Sequence, residues 1–403
     1  MVKESQSAHW LLSAAAVRET SQRMLALAHE QRLDWTLRLD RLPVVADFVT
    51  SVIRNRYPTL EVPLHARWRH FVFSGRDLWQ EISATHDWPD AASRTRAAID
   101  LAVTSVLLDA GAGAHWSYRD PATGLVAARS EGLALASLRW FASGGMSADS
   151  SDALRADAAP LKHFDASALN AAFQVTPTNI LAGQGRATLL NRLGAALDSR
   201  PDLFALADSP RPGGMLDALT RQAVANTLPA TVILEMLLEG FGSIWQGRPM
   251  LDAIPLGDCW PHPAVDGFVP LHKLSQWLAY SLIEPLRAAG IDVHGIDALT
   301  GLAEYRNGGL FIDMGVLAPC DSNALSIAHQ VSDPLIVSWR SLTVALLDEL
   351  APLVRERLGV STESFPLAKL LEGGTWAAGR LVARECRAES GPPLTILSDG
   401  TVF

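Results

Sequence analysis

Residues 266–317 read DGFVPLHKLSQWLAYSLIEPLRAAGIDVHGIDALTGLAEYRNGGLFIDMGVL. Leu271, Leu274, Leu278 and Leu282 recur at the interval that aligns side chains along one stripe of an α-helix. Pro270 follows the turn-like Asp266-Gly267 and can open that helix, because proline loses nothing at a first helical position. The pattern predicts a helix over 270–289. Lys273, Gln276, Trp277, Tyr280 and Glu284 share another face, which is either solvated or presents chemistry.

After Gly290, Asp297 can cap a short helix whose last turn carries Glu304, Tyr305 and Arg306, with Asn307-Gly308-Gly309 as its stop. The negative helix end would raise the pKa of Glu304 and Arg306 would lower it, so its protonation stays open at this level. Asp313 stands alone in Leu310-Phe311-Ile312-Asp313-Met314. It is either a cap or turn residue or a buried functional group that needs partners.

Helical periodicity dominates the remainder. It predicts helices over 43–55, ended by Tyr57-Pro58, and over 91–110, closing in Gly111-Ala112-Gly113. Another starts with Ser130 as cap and Glu131 beside the positive end, and stops at Gly144-Gly145. Further patterns lie at 186–197, 215–228 and 231–238. Ser332-Asp333-Pro334 starts a helix toward Gly359 that Pro352 should kink or end. Two more, 366–372 and 375–387, are joined by Gly373-Gly374. The clear strand signal is LTILSDGTVF at 394–403, where Asp399-Gly400 suits a tight hairpin. These patterns predict a mainly α, multi-helix globular fold with a small C-terminal β-hairpin. The Ala/Asp/Ser-rich stretch 147–160 marks a soft boundary between lobes 1–146 and 147–403, or a loop in one continuous domain.

A chain of 403 residues with 48% hydrophobic and 19% charged residues can bury a substantial core. Its net charge of −9 and lack of a dense Lys/Arg run argue against nucleic-acid or anionic-membrane surfaces. Two or three arginines still suffice for a small anion. Cys259, Cys320 and Cys386 are odd in number and far apart, which fits a reducing compartment and no zinc motif. The start carries no basic region leading into an apolar run, so a cytoplasmic, unanchored protein is expected. Oligomeric state is not fixed by these features.

No nucleophile elbow, Walker loop or HExxH pattern is present, so standard nucleophilic and zinc mechanisms lose weight, and no cofactor is expected. Carboxylates, Lys273, arginines and aromatics suit hydrolysis through an oxocarbenium-like transition state, and equally a pocket without catalysis. The run VPLHARWRHF at 62–71 could bind a planar or anionic ligand, or simply cover aromatic surface with Arg stems. Glu131 has a sufficient structural role as a first-turn anion; the sharper alternative is to hold a sugar hydroxyl.

The segments HWSYRDPATG…RSEGLALASLRWF, VPLHKLSQWLAYSLIEPL, LTGLAEYRNGGLFIDMGVL, WRSLTVALLDELAPLVRERLG and LAKLLEGGTWAAGR…PPLTILSDGTVF resemble the uracil catabolism protein 4 family over nearly the whole chain. That resemblance implies a place in a route that salvages uracil to a nucleotide, opens the ring and passes through ribosylurea-type intermediates to urea. More distantly, HKLSQWLAYSL followed by LTGLAEYRNG is similar to segments of queuosine 5′-phosphate N-glycosylases, helical enzymes that cleave a base from a ribose phosphate without metal. This second resemblance implies that Lys273 and Gln276 contact substrate and that Glu304 stands where those enzymes have a catalytic aspartate. The extra methylene of glutamate places its oxygens differently, so the role either keeps a more distant substrate or moves to Asp313.

The expected function is an N-ribosyl hydrolase (N-glycosidase) of pyrimidine degradation acting on ribosylurea or its 5′-phosphate. Glu304, Asp313 and Lys273 are the expected catalytic residues. Trp116, Arg129, Glu131, His272, Gln276, Arg306 and Asn307 are the expected substrate-binding residues. The alternatives are a C–N hydrolase acting on the opened ureido group and a non-enzymatic nucleotide-metabolite binding protein of the same pathway.

Overall fold

The computed structural model describes residues 6–109, 111–113, 115–182, 185–387 and 391–397. The fold is mainly α. Its strands are two to four residues long and, among the described residues, pair only two at a time. Segments this short cannot show an alternating pattern, which is why the sequence announces so few of them. The expected hairpin is not what forms at the described part of the C-terminus: Thr395–Leu397 pairs in parallel with Ala328–Gln330. The turn at Asp399-Gly400 lies outside the described residues.

The chain divides into two compact units. The first comprises the residues up to His65 together with Gly247–Gln276 and Gly295–Leu397, and the second comprises Ala66–Gln246 and Trp277–His294. The soft boundary expected at residue 147 falls inside the second of these units. The stretch around it is pinned within the second unit, where buried Arg155 donates to buried Asp157 (2.7 Å) and Asp157 accepts the Ala148 N–H.

The first unit is built on the helix Pro334–Leu358, whose Ile336, Trp339, Leu342, Leu346, Leu350 and Val354 are buried. Helices Ala14–His29 and Leu42–Arg56 pack against it, and Ser341 Oγ meets Ser21 Oγ at 3.1 Å. At roughly 1.5–3 kcal/mol for each large apolar side chain buried, this one stripe outweighs any cap or turn in the unit. Pro352 does not end the helix. It is exposed, so water can solvate the carbonyl its missing N–H leaves free, and the helix runs on to Gly359 in left-handed conformation (φ 72°).

Two joins differ from expectation. Pro270 is the last residue of the strand Gly267–Pro270, which pairs antiparallel with Cys259–His262, and the helix starts only at Lys273. Gly373-Gly374 does not separate two helices. Leu367–Leu370 continues through a π-helical turn, Leu371–Thr375, into Trp376–Cys386.

The second unit centres on Ala91–Leu107, where Ser105 Oγ meets Ser137 Oγ of the helix Arg129–Ala142 at 2.6 Å. That second helix begins at Arg129 with no side-chain cap, so Ser130 is not the cap. Asp100 is fully buried and accepts from Arg211 (2.8 Å) and the Gly213 N–H (2.6 Å), and burial pushes its pKa up to about 6. Met215–Gln222 stops short of the expected 215–228, because Thr227–Pro229 is drawn into a parallel pair with Asp292–His294. In the helix Lys273–Ala288, Gln276, Trp277 and Tyr280 are all buried, so the face read as solvated or chemical is covered over most of its length.

Candidate active site

All of the groups that assemble around Glu304 belong to the first unit. The loop before Glu304 is held by side chains from two helices. Gln276 Nε2 donates to Thr300 Oγ1 (2.9 Å), and Arg340 Nε donates to the Ala303 carbonyl (3.2 Å). Glu304 then turns extended (φ −117°, ψ 163°) and becomes the N-cap of the helix Tyr305–Asp313. Its Oε2 accepts the Arg306 N–H and its Oε1 the Asn307 N–H, each at 2.7 Å. The expectation that Glu304 closes a helix is thus reversed: it sits at the positive end of the next one. Asn307-Gly308-Gly309 lies buried inside that helix, because a Cβ at Gly308 would sit 2.7 Å from Thr343 Oγ1 and against the Trp339 ring.

Glu304 is buried, and burial pushes its pKa above the usual glutamate value against the pull of the Arg306 N–H, Lys273, the Asn307 N–H and His65. A carboxylate fixed by two N–H donors keeps a second lone pair on each oxygen and has a set orientation. Such a group is oriented for proton transfer or for facing a developing cation.

Asp258 frames this geometry. Its carboxylate accepts both Arg340 Nη groups (2.7 Å each), Trp260 Nε1 (2.8 Å) and the Lys273 N–H (3.0 Å). Burial alone would raise its pKa, but the guanidinium outweighs it and holds the carboxyl well below the usual range. One buried ion pair therefore ties the start of the Lys273 helix to the residue preceding Glu304. Beside it, His272 (φ 48°) shares a hydrogen bond of 2.8 Å between Nε2 and the Leu11 carbonyl, and burial lowers its pKa. Asn307 Nδ2 donates to the Leu302 carbonyl (3.3 Å), while its buried Oδ1 has no partner among the described residues. An orphaned buried acceptor of this kind calls for water or a ligand donor.

Two groups the sequence reading did not select complete the cluster. His65 Nδ1 lies 2.8 Å from Glu372 Oε2, both side chains being buried, and the Trp376 ring is 6.0 Å from the imidazole. Glu372 sits in the π-helical turn, which packs on the Glu304-capped helix. Its signal was present in LLEGGTW at 370–376, where a glutamate precedes two glycines inside an apolar pattern. His65 was visible only as one of several Arg and His residues in an aromatic run.

Other expected site residues are elsewhere. Asp313 lies at the far end of the same helix, roughly 13 Å along the axis from Glu304 at about 1.5 Å per residue. There it makes a two-pronged ion pair with Arg387, both contacts at 2.6 Å. Trp116, Arg129 and Glu131 belong to the second unit. Trp116 is core: its Nε1 donates to the Phe173 carbonyl (2.9 Å) and its ring stacks on Phe173. Arg129 is exposed, and Glu131 lies in the first turn of its helix, where its charge acts on buried Arg67. Arg306 is buried, with its guanidinium over the Tyr305 ring at 4.8 Å. Among the described residues, no three His, Cys, Asp or Glu side chains are grouped to hold a metal ion, and no helix is long and apolar enough to cross a membrane.

Residues 10–403 match a family described as "Protein of unknown function (DUF1688)". The chain is similar to the protein named "Protein urg3" of Schizosaccharomyces pombe, at 40% identity over 405 residues that cover 98% of each chain. It is also similar to "Uracil catabolism protein 4" of Lachancea kluyveri, at 37% identity over 435 residues that cover 97% of this chain and 98% of that protein.

Proposed function

Since the chain belongs to the DUF1688 family, we propose that it acts in uracil catabolism as an N-ribosyl hydrolase, cleaving the bond between C1′ and nitrogen in ribosylurea or its 5′-phosphate. The pathway comes from the name of the Lachancea kluyveri relative, which matches nearly end to end. The chemistry rests on one observation: Glu304 is a buried carboxylate of raised pKa, locked in orientation by two N–H donors, with Lys273 close enough to act on it electrostatically. In an oxocarbenium-like transition state such a group activates water or faces the developing positive charge. Asn307 Oδ1 is a ready acceptor for a sugar hydroxyl, and Lys273 supplies a cation for a hydroxyl or a phosphate.

The test is urea release from synthetic ribosylurea and its 5′-phosphate. Glu304→Gln keeps the shape, and Glu304→Asp keeps a good N-cap while withdrawing the carboxylate. Release by the wild type that falls by roughly 10²–10⁴ in both folded variants supports the reading. Accumulation of ribosylurea as a product would assign the chain to C–N hydrolysis of the opened ureido group. Tight binding of ribosylurea without turnover, undiminished in Glu304→Gln, would make it a binding protein.

A further inference from the structure

Urea is a poor leaving group unless its nitrogen is protonated as the C1′–N bond breaks, so the reaction proposed above needs an acid as well as Glu304. Asp313 is committed to Arg387 at the far end of its helix. Buried Glu372, which pairs with buried His65, lies in the turn that packs on the helix Glu304 caps. We propose that His65 is the general acid of this site and that Glu372 is the positioning residue that orients it. The assignment rests on the N-ribosyl hydrolase reading.

Three features carry it. A carboxylate only accepts hydrogen bonds when ionised, so ionised Glu372 makes Nδ1 of His65 a donor, and the imidazolium form then carries on Nε2 the proton it can give up. The residue is held at two points, since the backbone N–H of His65 donates to the Ala368 carbonyl (3.0 Å) and Nδ1 of its ring lies against Glu372 (2.8 Å). The backbone that presents Glu372 is π-helical, a local departure that recurs at functional sites because it re-aims one side chain out of the regular ladder. The turn that bears Glu372 packs on the helix that Glu304 caps, and the charge of His65 acts to lower the Glu304 pKa.

The step balances as addition of water. Water oxygen bonds to C1′ as the C1′–N bond breaks; its proton passes to the Glu304 carboxylate, and His65, starting as the imidazolium, gives its Nε2 proton to the departing urea nitrogen. Exchange with solvent then returns both residues to their starting forms. Nothing is oxidised or reduced.

Leaving-group dependence separates this role from packing. Ribosylurea and p-nitrophenyl β-D-ribofuranoside are compared, because the nitrophenolate departs without a proton. His65→Gln, which can still hydrogen-bond Glu372, is expected to lose roughly 10²–10⁴ in kcat/KM on ribosylurea and to keep most activity on the nitrophenyl riboside. Glu372→Ala should follow His65→Gln, with Glu372→Gln restoring part of the loss. Glu304→Gln should lose both substrates alike. A wild type that turns over ribosylurea while His65→Gln slows both substrates equally would overturn the acid role and leave the hydrolase reading intact. A wild type inert on both substrates and on ribosylurea 5′-phosphate would overturn the hydrolase reading itself, and the acid role with it.

Discussion

A carboxylate at the positive end of a helix needs no cation to hold it, and Glu304 is held by two backbone N–H groups. Its burial nevertheless disfavours the charge, and its pKa lies above the ordinary glutamate value of 4.5. A raised folded-state pKa adds stability that is complete below the unfolded value and is lost as pH rises through the folded one. Activity that needs the ionised carboxylate therefore rises with pH, and the acid limb of kcat/KM should have its midpoint above 4.5. A midpoint at or below that value would remove Glu304 as the group responsible. Asp313 answers differently. Its two-pronged contact with Arg387 is a structural tie, so Asp313→Asn should leave turnover unchanged and cost about 1–3 kcal/mol by denaturant titration. A collapse of turnover in a stable Asp313→Asn protein would return that residue to the chemistry.

At the scale of elements, the site depends on how closely three helices approach. A Cβ on Gly379 of the helix Trp376–Cys386 would overlap the Arg306 carbonyl, in the first turn after Glu304. Gly379→Ala must push that turn away, at an expected cost of roughly 1–3 kcal/mol. Activity should fall with it, because the cap moves; a variant as stable and active as wild type would mean that the helices have room to spare. The helix Pro334–Leu358 carries Arg340, whose pairing with Asp258 reaches the start of the Lys273 helix and the Ala303 carbonyl together. Removing one partner of a buried pair leaves an uncompensated charge, so Arg340→Met should destabilise by about 3–5 kcal/mol in thermal or denaturant melts.

At the scale of the molecule, the first unit is assembled from three separate stretches of chain. Helices Ala14–His29 and Leu42–Arg56 bury their apolar faces on Pro334–Leu358, nearly 300 residues later in the sequence. A fragment of residues 1–146 lacks that surface, and isolated helices of this length are marginal in water. Expressed alone, it should show little helix by circular dichroism and no cooperative melt. A fragment that melts cooperatively would show that the N-terminal helices carry a core of their own.

Helical periodicity was legible because it is local: the stripes of Leu42–Arg56, Ala91–Leu107 and Pro334–Leu358 are written within each segment, as are the cap signals at Asp333-Pro334 and Gly359. Family membership was legible for the same reason, since long unbroken motifs need no geometry to be matched. The stretch around Glu304 also stood out by composition. What the sequence could not decide was on which side of Glu304 the helix lies, because Asn307-Gly308-Gly309 reads as a stop until Trp339 and Thr343 close on Gly308. Nor could it join His65 to Glu372, 307 residues apart, or send Asp313 to Arg387. Those pairings cost desolvation that only a specific packing returns, and that packing exists only once distant helices have met.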